Sequence, residues 1–285
     1  MEYTVEMMCR VFTISRSSYY KWKKNSGRRQ ERLRNIRQDI KDAYDLAKGR
    51  YGSPRITEEL RATGRSISRR TVAKHMKEMG LRSKVWRRYK ITTDSSHKEP
   101  VAENILNRDF VCLSPATKCV SDITYIKTTE GFLYLTAVID LFDRDVIGWN
   151  TSDGMSAQQT VLPAIKKANA NRNFVKGMLF HSDRGVQYAC KATVNTLNSY
   201  NITQSMSRKA NCWDNAVAES FFKSLKTELI YGKKLMSKQQ MKTAIFEYIE
   251  IWYRKKRRHS YLKYKTIPEF NKYKSNSNNN FFPDA

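Results

Sequence analysis

Apolar residues recur every three or four positions through the first eighty residues and mostly in strand-like runs after residue 118, so a helical part precedes one built around strands. Residues 5–22, VEMMCRVFTISRSSYYKW, carry helical spacing that is interrupted at TISRSS, where Ser and Thr favour a cap and a turn. That stretch suits half of a small DNA-binding unit and a plain docking helix equally. The series Leu33, Ile36, Ile40, Tyr44 and Ala47 predicts a helix ending at Gly49 and Gly52. A second helix is predicted in SPRITEELRATG, with Ser53 as cap, Pro54 in the first turn and Gly64 closing it. A third, SRRTVAKHMKEMG, runs from Ser68 to Gly80. Two short helices with a tight connection have the form of a helix-turn-helix, and Arg69, Arg70, Lys74 and Lys77 would decorate the last one.

Residues 91–117 show no sustained period and contain Pro100 and Pro115, which predicts an extended linker and a domain boundary near 118. Beyond it KCVSDITYIKT, GFLYLTAVIDLF and RDVIGWNTS are β-branched or aromatic runs separated by short turns, the pattern of a three-stranded antiparallel meander. There follow a helix over 156–171, the strand GMLFHS, a helix from Gln187 to Tyr200, the strand ITQSM and a helix from about Asn215. The fold class is therefore α/β, a mixed-sheet core behind an all-α region. A last long helix begins at SKQQ (237–240), whose Ser and Gln have capping-box spacing, and buries Met241, Ile245, Ile249 and Trp252. The tail NKYKSNSNNNFFPDA is too rich in Asn and Ser to predict a fold.

Charge changes this picture. The formal net charge is +26, with about +15 of it in residues 1–118, about +2 in 119–230 and about +9 in 231–285. A surplus of that size points to a polyanion as partner, with the flanks touching DNA and the middle keeping its acids. LRSKVWRRYK adds Arg87 and Arg88, with Trp86 and Tyr89 among its cations, to the expected DNA contacts; RKKRRHS adds Arg257 and Arg258. Five cysteines without a CxxC pair and four scattered histidines give no zinc module, so reduced thiols in a cytoplasmic protein are expected. The longest apolar run is interrupted by Asp140 and no signal-peptide pattern opens the chain, which argues against membrane insertion and export.

Three acids stand out in the middle segment. Asp122 lies inside an otherwise core-facing strand, where a carboxylate must be paired, protonated or holding a metal. Asp183 follows the strand GMLFHS, at the strand end where open α/β sheets place working residues, although it also suits a turn. Glu219 lies on a helix, where an i,i+4 pair with Lys223 is its simplest role. Taken together they are hard oxygen ligands on three separate elements, the supply that two-metal phosphoryl transfer needs.

The spacing then carries a resemblance. Asp122, Asp183 and, after 35 intervening residues, Glu219 are similar to the DDE triad of retroviral integrases and related transposases, with Lys226 at the family's basic position. SDITYI, LYLTAVIDLF, HSDRGVQY and NCWDNAVAESFFKSLKTEL, with YGSPRITEELR upstream and RRHSYLKYKTIPEF downstream, resemble the second-frame (OrfB) transposases of the IS-three family of bacterial insertion sequences from about residue 5 to 270. The chain departs from the family pattern at Cys119, Ala210 and Arg254.

The resemblance implies an RNase H-like core in which Asp122, Asp183 and Glu219 bind two Mg²⁺ ions, with Mn²⁺ as a substitute. Those residues would activate water and then a DNA 3′-hydroxyl, with no covalent protein intermediate. It also implies double-stranded DNA as substrate, a homo-oligomer on that DNA, and an upstream OrfA-type partner or fusion. Lys226 and Lys223 would contact DNA near the site; Asp140, on the neighbouring strand, and His181, beside Asp183, are candidates for supporting the acids. The expected domains are a helical segment (1–30), a helix-turn-helix-like DNA-binding region (31–82), a basic linker (83–117), the catalytic core (118–232), a basic helical extension (233–270) and a disordered tail (271–285). The rival readings are a catalytically silent DNA-binding relative and an RNase H-type nuclease; the intact acids argue against the first, and the helix-turn-helix flank and triad spacing against the second.

Overall fold

In the computed structural model, which describes residues 3–84, 100–209 and 211–279, the chain divides into two units, Met1–Lys84 and Val85–Ala285. The first unit is helical: α1 (Val5–Val11), α2 (Arg16–Leu46), α3 (Ser53–Ala62) and α4 (Arg69–Glu78). Side chains of Thr4, Ser15 and Ser68 accept hydrogen bonds from the backbone N–H groups of Met7, Ser18 and Thr71 and so cap α1, α2 and α4. Helix α2 runs without a break through the boundary expected at residue 30. Residues 23–32 contain no proline and mostly good helix formers, so the single Gly27 is tolerated and the weak apolar signal there conceals a continuous helix. The buried residues Ile40, Ile56, Leu60, Val72 and Met76 hold α2, α3 and α4 together. Glu78 fastens the bundle further, 2.7 Å from Arg37 on α2 and 3.2 Å from His75 on its own helix.

In the second unit, alternating residues build β1 (Lys118–Thr128), β2 (Gly131–Asp140) and β3 (Val146–Ser152) into the expected antiparallel meander, joined by β4 (Leu179–Ser182) and β5 (Thr203–Met206). The sheet order is β3-β2-β1-β4-β5, and β4 and β5 run parallel to β1 and to each other. One sheet face presents Cys119, Val138, Phe180 and Met206 to a core completed by α5 (Val161–Asn171), α6 (Val186–Ala189) and α7 (Lys191–Ser199). Gly148 on β3 lets α5 approach: a β-carbon there would lie 2.3 Å from the Ala164 carbonyl oxygen. The helix predicted from residue 156 begins only at Val161, and the one predicted over 187–200 is split at Cys190, whose extended backbone ends α6 and starts α7.

Helix α8 (Ala216–Leu225) packs against β1 and passes into a π-helical turn, Lys226–Ile230. Helix α9 (Lys238–Phe246), started by the capping box at Ser237, likewise continues as the π-helical stretch Glu247–Tyr253. Residues 271–279 of the tail expected to be disordered instead belong to α10 (Ile267–Asn279); 280–285 lie outside the described residues. Tertiary contacts override its composition: Glu269 pairs with Arg258 at 3.0 Å, the Asn271 amide donates to Asp143 at 2.9 Å, and Phe270 packs on Phe142. No helix among the described residues is long and apolar enough to cross a membrane.

Candidate active site

Asp122 sits in the middle of β1, opposite Ala137 on β2. On its other side β1 pairs with β4, and the last parallel partners are Val120 and His181. Asp122 lies two residues beyond that last pair on β1, and Asp183 follows directly on Ser182, the last residue of β4. The turn after β4 is fixed by the Gly185 N–H, which donates to Asp183 Oδ1 at 3.0 Å. A side chain at 185 would crowd that carboxylate, since a β-carbon would lie 3.1 Å from the same oxygen.

Glu219 enters from α8, which buries Ala218, Phe221, Phe222 and Leu225 and leaves Glu219 half-buried at its first turn. It forms no ion pair with Lys223 among the described residues, and Lys223 stays exposed. The start of α8 is held by Asp214 and Asn215. Asp214, fully buried, accepts from Arg208 (2.8 Å), Arg108 (2.8 Å) and Asn104 (2.9 Å). Asn215 donates to the Ser121 carbonyl oxygen at 3.1 Å and so ties the helix to the peptide that leads into Asp122. Apart from Arg208, six residues from Asp214, these partners lie some hundred residues away and leave no local signal in the sequence.

Electrostatics tie the acids together. Burial, and then the charge of Asp183, push the Asp122 carboxyl well above the ordinary carboxylate range; Glu219 adds to the effect, while the Ile123 N–H bond and Lys226 oppose it. Burial also raises the Glu219 carboxyl. Lys226 begins the π-helical turn after α8, with its Nζ 5.6 Å from the centre of the Tyr125 ring; burial lowers its pKa and Asp122 draws it back up. A widened helical turn of this kind is a frequent mark of functional positions. Among the described residues no three acidic, histidine or cysteine side chains form a preformed metal cage. The donor set nonetheless suits a hard divalent cation: carboxylates whose like charges oppose one another in a partly buried place are relieved by positive charge.

Four expectations change. Asp140 pairs with Cys119 and, by strand alternation, points to the opposite sheet face from Asp122, so it does not support the acids. It binds Arg172 at 2.6 Å and the Ala116 and Phe142 N–H groups, in an ionic cluster with Asp143 and Asp145. The ring nitrogens of His181 are taken by Ser205 (2.9 Å) and Ser207 (3.1 Å), and burial lowers its pKa to about 4, so it is a neutral strand-end residue joining β4 to β5. Arg257 and Arg258 are buried ion-pair partners of Glu228 and Glu269, not surface cations offered to phosphate. Arg254, a departure from the family pattern, pairs with Asp145 and Glu250. Arg69, Arg70 and Lys74 are exposed on α4 as expected, and Arg87 and Arg88 lie outside the described residues.

Residues 113–212 and 219–274 match two families described as integrase core domain, and residues 30–89 match an HTH-like domain. The chain is 40% identical over 263 residues to the transposase InsF for insertion sequence IS3A of Escherichia coli K12, covering 91% of both chains. The chain belongs to the IS3 family of insertion-sequence transposases. A 31 kDa protein of insertion element IS600 from Shigella sonnei is 37% identical, over 90% of the transposase and 94% of that protein. Among solved structures, the HTLV-2 integrase catalytic core in complex with magnesium aligns at a TM-score of 0.42 and 15% identity, over 55% of the transposase and 97% of that chain. The transposase has an integrase core built on the mixed five-stranded sheet, preceded along the chain by a helix-turn-helix-like region, and it is a DDE polynucleotidyl transferase.

Proposed function

We propose that Asp122, Asp183 and Glu219 are the DDE carboxylates of this transposase, and that they hold two Mg²⁺ ions, or Mn²⁺ in their place, for cleavage and strand transfer at the ends of its element. The observation that carries this reading is the arrangement of three elements: β1, which bears Asp122, pairs with β4, which ends one residue before Asp183, and α8, which bears Glu219, packs on β1 and is tied to it through Asn215. When bound, the ions would supply the charge that activates the attacking oxygen and stabilises the leaving one. The chain's own residues give them a rigid seat: Asp122 from the centre of the sheet, Asp183 from a turn locked by Gly185, and Glu219 from a helix bolted to β1 through Asn215. Lys226, close enough to feel Asp122, would hold the scissile strand by its phosphate, with Lys223 one turn back on the exposed side of α8.

Arg69, Arg70 and Lys74 on α4 would bind the duplex, because the second helix of a helix-turn-helix is the one that enters the groove. The assembly would be a homo-oligomer on the terminal inverted repeats, with an OrfA-type partner or fusion, working on DNA in the cytoplasm. The test is cleavage of duplex DNA bearing the inverted repeats that flank this gene, in Mg²⁺, by wild type and Glu219→Gln with the upstream partner added. Wild type should nick at the element ends and Glu219→Gln should fall by about a thousandfold or more. Equal cleavage by the variant would remove Glu219 from the site.

A further inference from the structure

Trp213 is 69% exposed, although it stands in the short 3₁₀ turn Cys212–Asn215 that positions α8. Its neighbours hold that turn. Arg108 donates to the Asn211 side chain at 3.0 Å, Asp214 is buried under Arg108 and Arg208, and Asn215 is buried against Ser121. The backbone on both sides of the indole is therefore fixed, and the largest apolar side chain of the turn is turned outward from it. A free Trp usually recovers part of its area by lying on the surface; one held out on a rigid turn offers a flat aromatic face to something else.

The position says what that is. Asn215 bonds the peptide leading into Asp122, and Asp214 acts electrostatically on His181, two residues before Asp183. Glu219 is six residues on, about 10 Å along the helical axis. The half-exposed guanidinium groups of Arg108 and Arg208 border the same turn. An aromatic face among cations is the composition that stacks nucleic-acid bases. Bases within a duplex are already stacked on one another, so the face open to an indole belongs to an unpaired base. At about 3.4 Å per nucleotide, that base lies within about three positions of the phosphodiester over the acids.

We propose that Trp213 is a stacking platform for one unpaired base beside the cleaved phosphodiester, and so a positioning residue for the DNA end. This rests on the reading of Asp122, Asp183 and Glu219 as the site of cleavage. The test uses the full chain, with its upstream partner, on element-end duplexes carrying a single 5-iodouracil at each of the three positions either side of the cut. Irradiation should cross-link wild type through Trp213, as mapped by peptide mass. Trp213→Ala should lose that cross-link and about tenfold or more in kcat/KM for the end, with an unchanged unfolding temperature, and Trp213→Phe should return to within about threefold of wild type. Wild type that cuts normally but cross-links elsewhere, or Trp213→Ala that cuts as fast as wild type, would overturn the stacking role and leave the three acids in place. Wild type that does not cut would overturn both.

Discussion

Asp122→Asn is expected to reduce strand cleavage by about a thousandfold or more and, in the absence of divalent metal, to make the protein more stable than wild type. The two effects have one cause. Asp122 is pressed by burial and by the charges of Asp183 and Glu219, an arrangement that costs folding free energy until a cation fills it. An amide has nearly the same shape and no charge, so it removes the repulsion together with the ligand. The gain should be about 1 kcal/mol, or 2–4 °C in unfolding temperature for a unit of this size. Magnesium should then raise the unfolding temperature of wild type more than that of the variant. The check is a pair of melts, with and without Mg²⁺, beside the cleavage assay. A variant that is inactive because it is unfolded would melt lower in both.

Arg257→Ala should be the most damaging single change outside the acids, costing about 3–5 kcal/mol. Arg257, 5% exposed, lies with its guanidinium 2.9 Å from Glu228, which also accepts from Tyr248 (3.1 Å) and Trp252 (3.0 Å). Removing the arginine strands a buried carboxylate among aromatic rings. The pair Arg257→Met with Glu228→Gln removes both charges and should recover most of the loss, because an uncompensated charge, more than the lost attraction, carries the penalty. Urea unfolding of the two variants separates these contributions. DNA affinity of the folded double variant should match wild type, whereas a phosphate contact at 257 would lower it and flatten its dependence on salt.

Why Arg257 was open to misreading shows where sequence reasoning reaches its limit. RKKRRHS reads as a basic patch, and nothing local reveals that Glu228, 29 positions earlier, waits inside the core for one of its arginines. Asp140 failed in the same way: its place on the strand beside Asp122 was legible, but the face it points to depends on register, and its partner Arg172 lies 32 residues away. The strands were legible because alternation and β-branched residues are local properties, and β1 matches KCVSDITYIKT residue for residue. Residues 271–279 of the tail are helical because α10 is held by contacts with Arg258, Asp143 and Phe142, which their Asn- and Ser-rich composition does not record. The acids were suggested by spacing and family resemblance; the pairing of β1 with β4, the strand that leads into Asp183, emerges only from the sheet.

The most direct measurement is a Mn²⁺ titration of the full chain on an element-end duplex, followed by electron paramagnetic resonance, with wild type and Asp183→Asn side by side. Mn²⁺ binds the same hard oxygen donors as Mg²⁺ and reports its own coordination without any turnover. Wild type should bind two ions per site, spin-coupled through their closeness, and Asp183→Asn should lose at least one of them together with the coupling. An Asp183→Asn protein that binds the same two coupled ions with unchanged affinity would contradict the assignment of Asp122, Asp183 and Glu219 as the metal-holding acids.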